Sequence, residues 1–420
     1  MSRQLSGKGG IMYIIEEFVD DLLFEKAAGT ACPDADPADV VFFDIETTGL
    51  SPSRSGLYLI GCMYFDGKNT VLKQFFADGY EDENNILEEF SAILSRKNHM
   101  VHFNGSTFDI PYLKTKYEQH GKKDPFDGRK SCDIYRKLMP LKRILSLGSM
   151  KQKSLEELCG IRREDIYSGS ELIDVYKKYQ RIVMLSRMTD STGNDVSLNE
   201  EKYFAEESGI INKDESDMIV EMRRILLLHN SDDIKGMMSV ATLLGIVSLL
   251  DGKFDVGEPR LEDGNVKVTI DPDHEIPSCI FEGKSAFGFV RNDDSGNLYV
   301  VVPLINDSLR LFLSDFRNHY YIPSKDMAVH ASVAGFIGKE DKKRATPATC
   351  YVPCIDKFLT VREEDLPEGL PLIKREYGDR TAYIREKDIS PEVIKAAVMY
   401  RLLSSFPDAG KRVSDKIRNK

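Results

Sequence analysis

From Val40 onward the chain alternates short apolar runs with turn-forming clusters. "VVFFDIE", "LYLIGCMYF" and "TVLKQFF" are rich in β-branched and aromatic residues. A Gly/Ser/Pro loop joins the first two and "DGKN" the last two, which predicts an antiparallel meander. The period then changes. In "ENNILEEFSAILSRK" the apolar residues Ile86, Leu87, Phe90, Ile93 and Leu94 recur at helical spacing. A fourth strand, "HMVHF", and a helix opening near Ser106 follow. Residues 130–181 read as short helices and loops, and 186–214 as a polar, irregular insertion or lid. A long helix over "ESDMIVEMRRILLLHNSDDIKGMMSVATLLGIV" is expected to kink near His229–Asp233. At the N-terminus, "IMYIIEEFVDDLLFEK" has its apolar run interrupted by Glu16, Glu17, Asp20 and Asp21. That pattern predicts an amphipathic helix, stopped by the Pro/Asp linker "CPDADPAD".

Beyond residue 255 short strand-like runs ("VKVTI", "AFGFV", "LYVVVPL") sit between Gly/Asn/Asp turns, with helices expected near 324–337 and 390–405. The predicted organisation is an N-terminal helix and linker over 1–39, an α/β domain over 40–250 and a separate α+β domain over 256–410. No run of about 18 apolar residues occurs, so no membrane contact is expected. The C-terminal domain mixes Phe316, Tyr320 and Tyr321 with Lys339, Lys342, Lys343 and Arg344. Nucleic-acid contact and a plain core with a solvated loop both fit that composition.

Charge changes the picture locally. The 420-residue chain carries a net −11, which argues against a surface coated for non-specific nucleic-acid binding. Yet residues 1–110 sum to −10 and 111–181 to +7, a single positive block inside an acidic chain. A polyanion-binding surface and a Lys-rich solvated helix face both fit that block. The seven cysteines are scattered, with Cys350 and Cys354 the one close pair. An odd, unpatterned set predicts a reducing, cytoplasmic setting, and the pair lacks the second pair a structural zinc site needs.

The candidate chemistry begins at the end of the first strand. Asp44 and Glu46 are i and i+2, so they share a face. Two carboxylates this close repel unless one is protonated or a cation lies between them. A solvated strand end and a Mg²⁺ or Mn²⁺ site both fit the pair taken alone. Asp109, in "HFNGSTFDIPYL", and Asp233, in "HNSDDI", are candidates for further oxygen ligands, and an Asp that merely complements the dipole of its helix fits Asp109 as well. His229 is four residues before Asp233 and shares its helix face, whereas Asp232 points elsewhere.

"DIETTGL", "HFNGSTFDIPYL" and "HNSDDI", in that order, resemble the three signature segments of the Asp-Glu-Asp-Asp 3′–5′ exonucleases, most of all the bacterial ribonuclease H-like predicted exonucleases. "KSLEELCGIRREDIYSGSELIDVYKKY" fits the same branch, and the resemblance covers roughly residues 40–245. It implies a ribonuclease H-like mixed sheet flanked by helices, with two divalent ions, Mg²⁺ or Mn²⁺, held by Asp44, Glu46, Asp109 and Asp233. His229 takes the place of the general base, filled by Tyr or His in related branches; its His-x3-Asp spacing is that of the Tyr branch. Such a centre hydrolyses phosphodiesters from a 3′ end and releases 5′-nucleotides. The same resemblance places Thr47, Leu50, Asn104 and Phe108 against the terminal nucleotide of a single-stranded DNA or RNA. Lys137, Lys142, Arg143, Lys151, Lys153, Arg162 and Arg163, in the basic block, are candidates for phosphate contacts along the strand. A structure-specific endonuclease on the same fold and a non-catalytic nucleic-acid-binding module are the competing expectations. No protein partner is implied.

Overall fold

A computed structural model of the chain describes residues 2–7, 10–142, 145–192, 215–277, 290–292 and 297–404. These fall into two units: residues 1–142, 147–245 and 274–279 in one, 143–146, 246–273 and 280–420 in the other.

The first unit is built on a seven-stranded mixed sheet in the order β1-β2-β5-β4-β3-β6-β7. Its elements in chain order are β1 (Ser2–Gly7), β2 (Gly10–Phe18), α1 (Asp21–Ala31), β3 (Val40–Thr47), β4 (Leu57–Phe65), β5 (Thr70–Ala77) and α2 (Glu83–Leu94). They continue with β6 (His99–His102), α3 (Asp109–Gln119), β7 (Lys130–Asp133), α4 (Ile134–Leu138), α5 (Gln152–Leu158), α6 (Gly169–Thr192) and α7 (Glu215–Thr242). The predicted meander is present as β3-β4-β5, and β6 and β7 extend it in parallel on the far side of β3.

Both faces of the sheet are covered, which is why β3 reads as an almost unbroken apolar run. On one face Val41, Phe43 and Ile45 pack with Ile86, Leu87 and Phe90 of α2 and Tyr112 and Leu113 of α3. On the other, Tyr58, Leu59 and Phe76 pack with Leu172, Tyr176 and Tyr179 of α6 and Met222, Ile225 and Leu226 of α7. Phe42 meets Phe24 of α1 edge to face at 5.8 Å. Alternation therefore sends Asp44 and Glu46 to the α1/α7 side.

Three expectations are corrected. The N-terminal segment is not helical from residue 11: Gly10–Phe18 is a strand paired with β5 along its length, with Met12 and Ile14 buried. The helix starts only at Asp21, where Asp20 caps it by accepting from the Leu23 N–H. The acidic residues at 16 and 17 are thus strand positions, and Glu16 pairs with Lys73 across the sheet. Second, α7 runs without a break through His229–Asp233. Third, the helix expected near 324–337 shrinks to Ala331–Ala334, preceded by a strand at Met327–His330. Most of the 186–214 insertion, the "AFGFV" run except Val290, Arg143 and the C-terminal tail lie outside the described residues.

The helical run Ser216–Leu250 contains an 18-residue window long and apolar enough to cross a membrane by length and composition alone. That window is 78% buried within the protein, as a core helix would be.

The second unit is made of antiparallel sheets, of five, four and three strands among the described residues, and a helix at Pro391–Ser404. Val393, Ile394, Ala397, Val398 and Leu402 of that helix are buried. A distinct C-terminal domain of strands and helices was the expectation, and "VKVTI" and "LYVVVPL" lie in its strands.

Candidate active site

Asp44 and Glu46 stand opposite Gly61 and Leu59 of β4, and the register shifts by a bulge just after Glu46. Bulges bend a strand end and re-aim side chains, often beside functional sites. Gly61 is needed here for space: a Cβ there would lie 2.0 Å from Asn230 Oδ1 and 2.4 Å from Ile234 Cδ1. Without it, α7 packs directly onto β4. Asn230 then donates to Asp44 Oδ2 at 3.1 Å, and its own Oδ1 accepts from Gln74 Nε2 at 3.0 Å.

One turn of α7 delivers the rest of this wall. His229 Nε2 lies 3.2 Å from Asp233 Oδ2 and 3.8 Å from Glu46 Oε1. Ligand atoms of Glu46, His229 and Asp233 all fall within 4.8 Å of one another. Asp109 enters from the opposite side, in the first turn of α3. Gly105 makes room for it, since a Cβ at 105 would sit 2.6 Å from Asp109 Oδ2. The preceding loop is held by Asp133, which accepts from the backbone N–H groups of Asn104 (3.0 Å) and Ser106 (3.2 Å).

The electrostatics tie the four carboxyls together. Burial, then the charges of Asp233, Asp109 and Glu46, push Asp44 well above the usual carboxylate range, with Asn230 pulling the other way. Burial, then Asp233, Asp109 and Asp165, raise Glu46 likewise. Burial, then Asp133 and Asp233, raise Asp109 to about 7. Carboxyls in such a state lack cationic partners. One cation does reach the cluster: Arg163 Nη1 lies 2.5 Å from Asp233 Oδ1. Hard oxygen donors, one imidazole nitrogen and mutual carboxyl repulsion are the donor set of a divalent-cation site, so the residues fit Mg²⁺ or Mn²⁺.

His229 is anchored from behind. Its Nδ1 is 2.7 Å from Asp165 Oδ2, which also receives Lys153 Nζ at 3.2 Å. Burial raises the Asp165 carboxyl, but His229, the Tyr167 N–H and Lys153 outweigh it and hold it below its ordinary value. With Nδ1 donating to Asp165, Nε2 is left as an acceptor facing Glu46 and Asp233. Asp232 does point elsewhere: its Oδ2 accepts from the Asp165 backbone N–H at 3.0 Å.

The nucleotide-contact candidates divide. Leu50 is 84% exposed just past the bulge, free to meet a ligand. Thr47 is buried and donates to the Gly49 carbonyl at 2.9 Å. Asn104 adopts φ 60°, and its Oδ1 accepts from the Thr107 hydroxyl at 2.7 Å, so it shapes the turn before Asp109. The Phe108 ring packs on Tyr112, centroids 5.5 Å apart.

The basic candidates divide too. Lys142, Lys151 and Arg162 are exposed. Lys137 Nζ donates to the Ala31 carbonyl at 3.3 Å. Lys153 is engaged with Asp165, and Arg163, 8% exposed, is clamped by Glu156 at 2.5 and 2.7 Å. Burial works against the Arg163 charge, but Glu156 and Asp233 outweigh it and keep the guanidinium more firmly protonated than usual. Arg163 is thus enclosed by the site's own acids, whereas the Lys153 side chain stays 44% exposed. Sequence reasoning missed Asp165, Glu156, Asn230 and Gln74. Asn230 sits inside the "HNSDDI" segment, and Glu156 and Asp165 inside "KSLEELCGIRREDIYSG", but nothing in local spacing links them to His229.

Residues 41–184 match the family model of the RNase H superfamily. This is a ribonuclease H-like domain. Helix α7, which carries His229 and Asp233, lies beyond the matched range. Solved structures similar to the chain include the family B DNA polymerase from the hyperthermophilic archaeon Pyrobaculum calidifontis, with 15% identity, TM-score 0.33, and 66% of this chain and 35% of that one covered. Another is E. coli exonuclease I in complex with a 5cy-dA13 oligonucleotide, with 14% identity, TM-score 0.24, and 29% and 36% covered. The chain spans about a third of the length of those two proteins. No curated protein sequence matches it. The assignment of the ribonuclease H-like domain rests on the family match and on the sheet itself.

Proposed function

We propose that this chain is a metal-dependent nuclease, and specifically a 3′–5′ exonuclease that hydrolyses single-stranded DNA or RNA to 5′-nucleotides with two divalent ions, Mg²⁺ or Mn²⁺. The observation that carries the reading is the approach of Glu46, His229 and Asp233 to within 4.8 Å of one another, with Asp44 and Asp109 close enough for their charges to act on the same group. The raised carboxyls of Asp44, Glu46 and Asp109 call for positive charge, of which Arg163 supplies a part at Asp233 and Glu46.

Asp44, Glu46, Asp109 and Asp233 would hold the ions, which supply polarisation of the phosphodiester and a water acidified towards neutrality. His229 takes the water's proton at Nε2, and Asp165 fixes the ring by accepting from Nδ1. Arg163 steadies Asp233, and Glu156 in turn fixes Arg163. Leu50 contacts the terminal base, while Thr47, Asn104 and Phe108 shape the floor beneath it. Lys142, Lys151 and Arg162, together with Arg143, draw in the phosphate backbone, so binding weakens steeply with salt.

The test is digestion of end-labelled single- and double-stranded DNA and RNA with Mn²⁺, Mg²⁺ or EDTA. Labelled mononucleotide released at once from a 3′-labelled single strand, with stepwise shortening of a 5′-labelled one and both lost with EDTA, supports the reading. Long fragments point instead to an endonuclease, and unchanged substrate with either metal to a binding module.

A further inference from the structure

Away from the carboxylates, the same domain brings two cysteines together at a surface cleft. Cys32 is the residue that closes α1, its N–H bonded to the Ala28 carbonyl at 2.8 Å. Cys132 lies on the edge strand β7. About 100 residues of chain separate them, yet each thiol is the leading influence on the other's protonation. Both line a cleft of about 180 Å³ together with His99, Lys130 and Lys137. Lys137 reaches from α4 to the Ala31 carbonyl and lends positive charge to the cleft.

We propose that Cys32 and Cys132 are a reversible oxidation site, in which a small hydroperoxide entering this cleft converts the two thiols into a disulfide. The Cys132 thiolate attacks one peroxide oxygen, the O–O bond breaks, and the departing oxide leaves as water or an alcohol once protonated. The Cys132 sulfur is thereby oxidised to a sulfenic acid. The Cys32 thiolate then attacks that sulfur and displaces hydroxide, which takes the second proton and leaves as water. Two thiols lose two electrons and two protons, and the hydroperoxide accepts them.

The surroundings favour Cys132 as the attacking sulfur. The hydrogen bond from Cys32 favours its thiolate, burial opposes it, Lys137 adds positive charge and Asp133 subtracts from it; the balance lowers Cys132 to about 7. Cys32, as the donor, is raised by that bond and by burial, against the pull of Lys137 and Lys130. His99 and Asp34 complete the charged or titratable lining of the cleft. Both thiols are buried, Cys32 9% and Cys132 4% exposed, but they line an electropositive cleft, the charge setting in which cysteines are reactive. Cys62 is the internal contrast: fully buried on β4, it is raised by burial alone against the pull of Lys73 and Lys97. Among the described residues no third metal-ligating group joins the pair closely enough to make it a metal cluster.

The experiment treats the reduced full-length protein with graded hydrogen peroxide, then alkylates it and maps the peptides by mass. A Cys32–Cys132 cross-linked peptide should form at least about tenfold faster than Cys62 is modified, and dithiothreitol should reverse it. Dimedone should capture a sulfenic acid at Cys132 in Cys32→Ser, while Cys62→Ser should leave the cross-link unchanged. In urea the selectivity should vanish. Should Cys32→Ser fail to fold, the wild-type peptide map decides alone. Oxidation of Cys132 no faster than Cys62, pairing with another cysteine, or protection of both thiols by added zinc would each overturn the proposal.

Discussion

Glu83 and Glu46 are carboxylates of one domain with side chains 7% and 12% exposed, and their surroundings are opposite. Glu83 accepts from the Leu57 backbone N–H at 2.7 Å, from Lys116 at 3.0 Å and from His120 at 2.8 Å. Every lone pair it turns inward has a donor. Glu46 meets three other carboxyls and an imidazole, and burial with their charges forces it upward. A buried carboxylate with its own cation is architecture. A buried group of carboxylates that lacks enough cations is strained unless something positive arrives, and that difference singles out the candidate site.

The contrast can be broken by substitution. Asp44→Ala is expected to lower hydrolysis about 10³-fold or more while leaving the metal-free protein as stable as before, or more so. An end-labelled digestion and a urea melt read the two halves, and unchanged hydrolysis would sink the metal-site reading. Glu83→Ala should do the reverse, since it leaves Lys116 buried without its partner. Stability should fall by about 3–5 kcal/mol in urea. Third, Mg²⁺ or Mn²⁺ at a hundred times its Kd should stabilise the wild type by about 2.7 kcal/mol, and Asp44→Ala should abolish that gain. A thermal melt with and without EDTA checks it.

Two finer experiments sharpen the contrast. Asp165→Asn should cost about 10–100-fold in kcat, because the imidazole loses its fixed orientation. KM should change little, and the pH–rate profile should move, which a merely structural effect would not produce. The pH dependence of metal-free stability should follow Asp109. Its folded value, about 7, is above the ordinary 3.8, so protonation favours the fold. That contribution is complete below about pH 4 and is lost as pH rises through about 7. Asp109→Asn should flatten this part of the curve in urea melts at pH 4 to 8.

Much of the domain was legible because its signals are periodic. The run "VVFFDIE" states a buried strand, and i, i+2 spacing alone puts Asp44 and Glu46 on one side. The i, i+4 spacing of His229 and Asp233 likewise survives into the structure as a 3.2 Å contact. The N-terminal strand was misread because two glutamates in "IMYIIEEF" mimic the polar side of a helix. The real cue was the β-branched alternation of Ile14 and Ile15 ahead of the Asp20 cap. Asp165 and Glu156 were invisible as site residues for another reason. Their partners, His229 and Arg163 with Asp233, meet them only after α5 and α7 pack, and no window of sequence contains that event. Arg163 shows the cost of reading charge alone: it was counted as a strand-binding residue, and the fold uses it internally.

Gly61 carries one more implication. At that crossing the side chains of Asn230 and Ile234 on the helix rest on the bare backbone of the sheet, so these two side chains set the separation between the first and third signature segments. Substitutions elsewhere along α7 can be absorbed by neighbouring side chains sliding past one another. A methyl group at position 61 would have to push Asn230 and Ile234 aside, and with Asn230 the hydrogen bond that reaches Asp44.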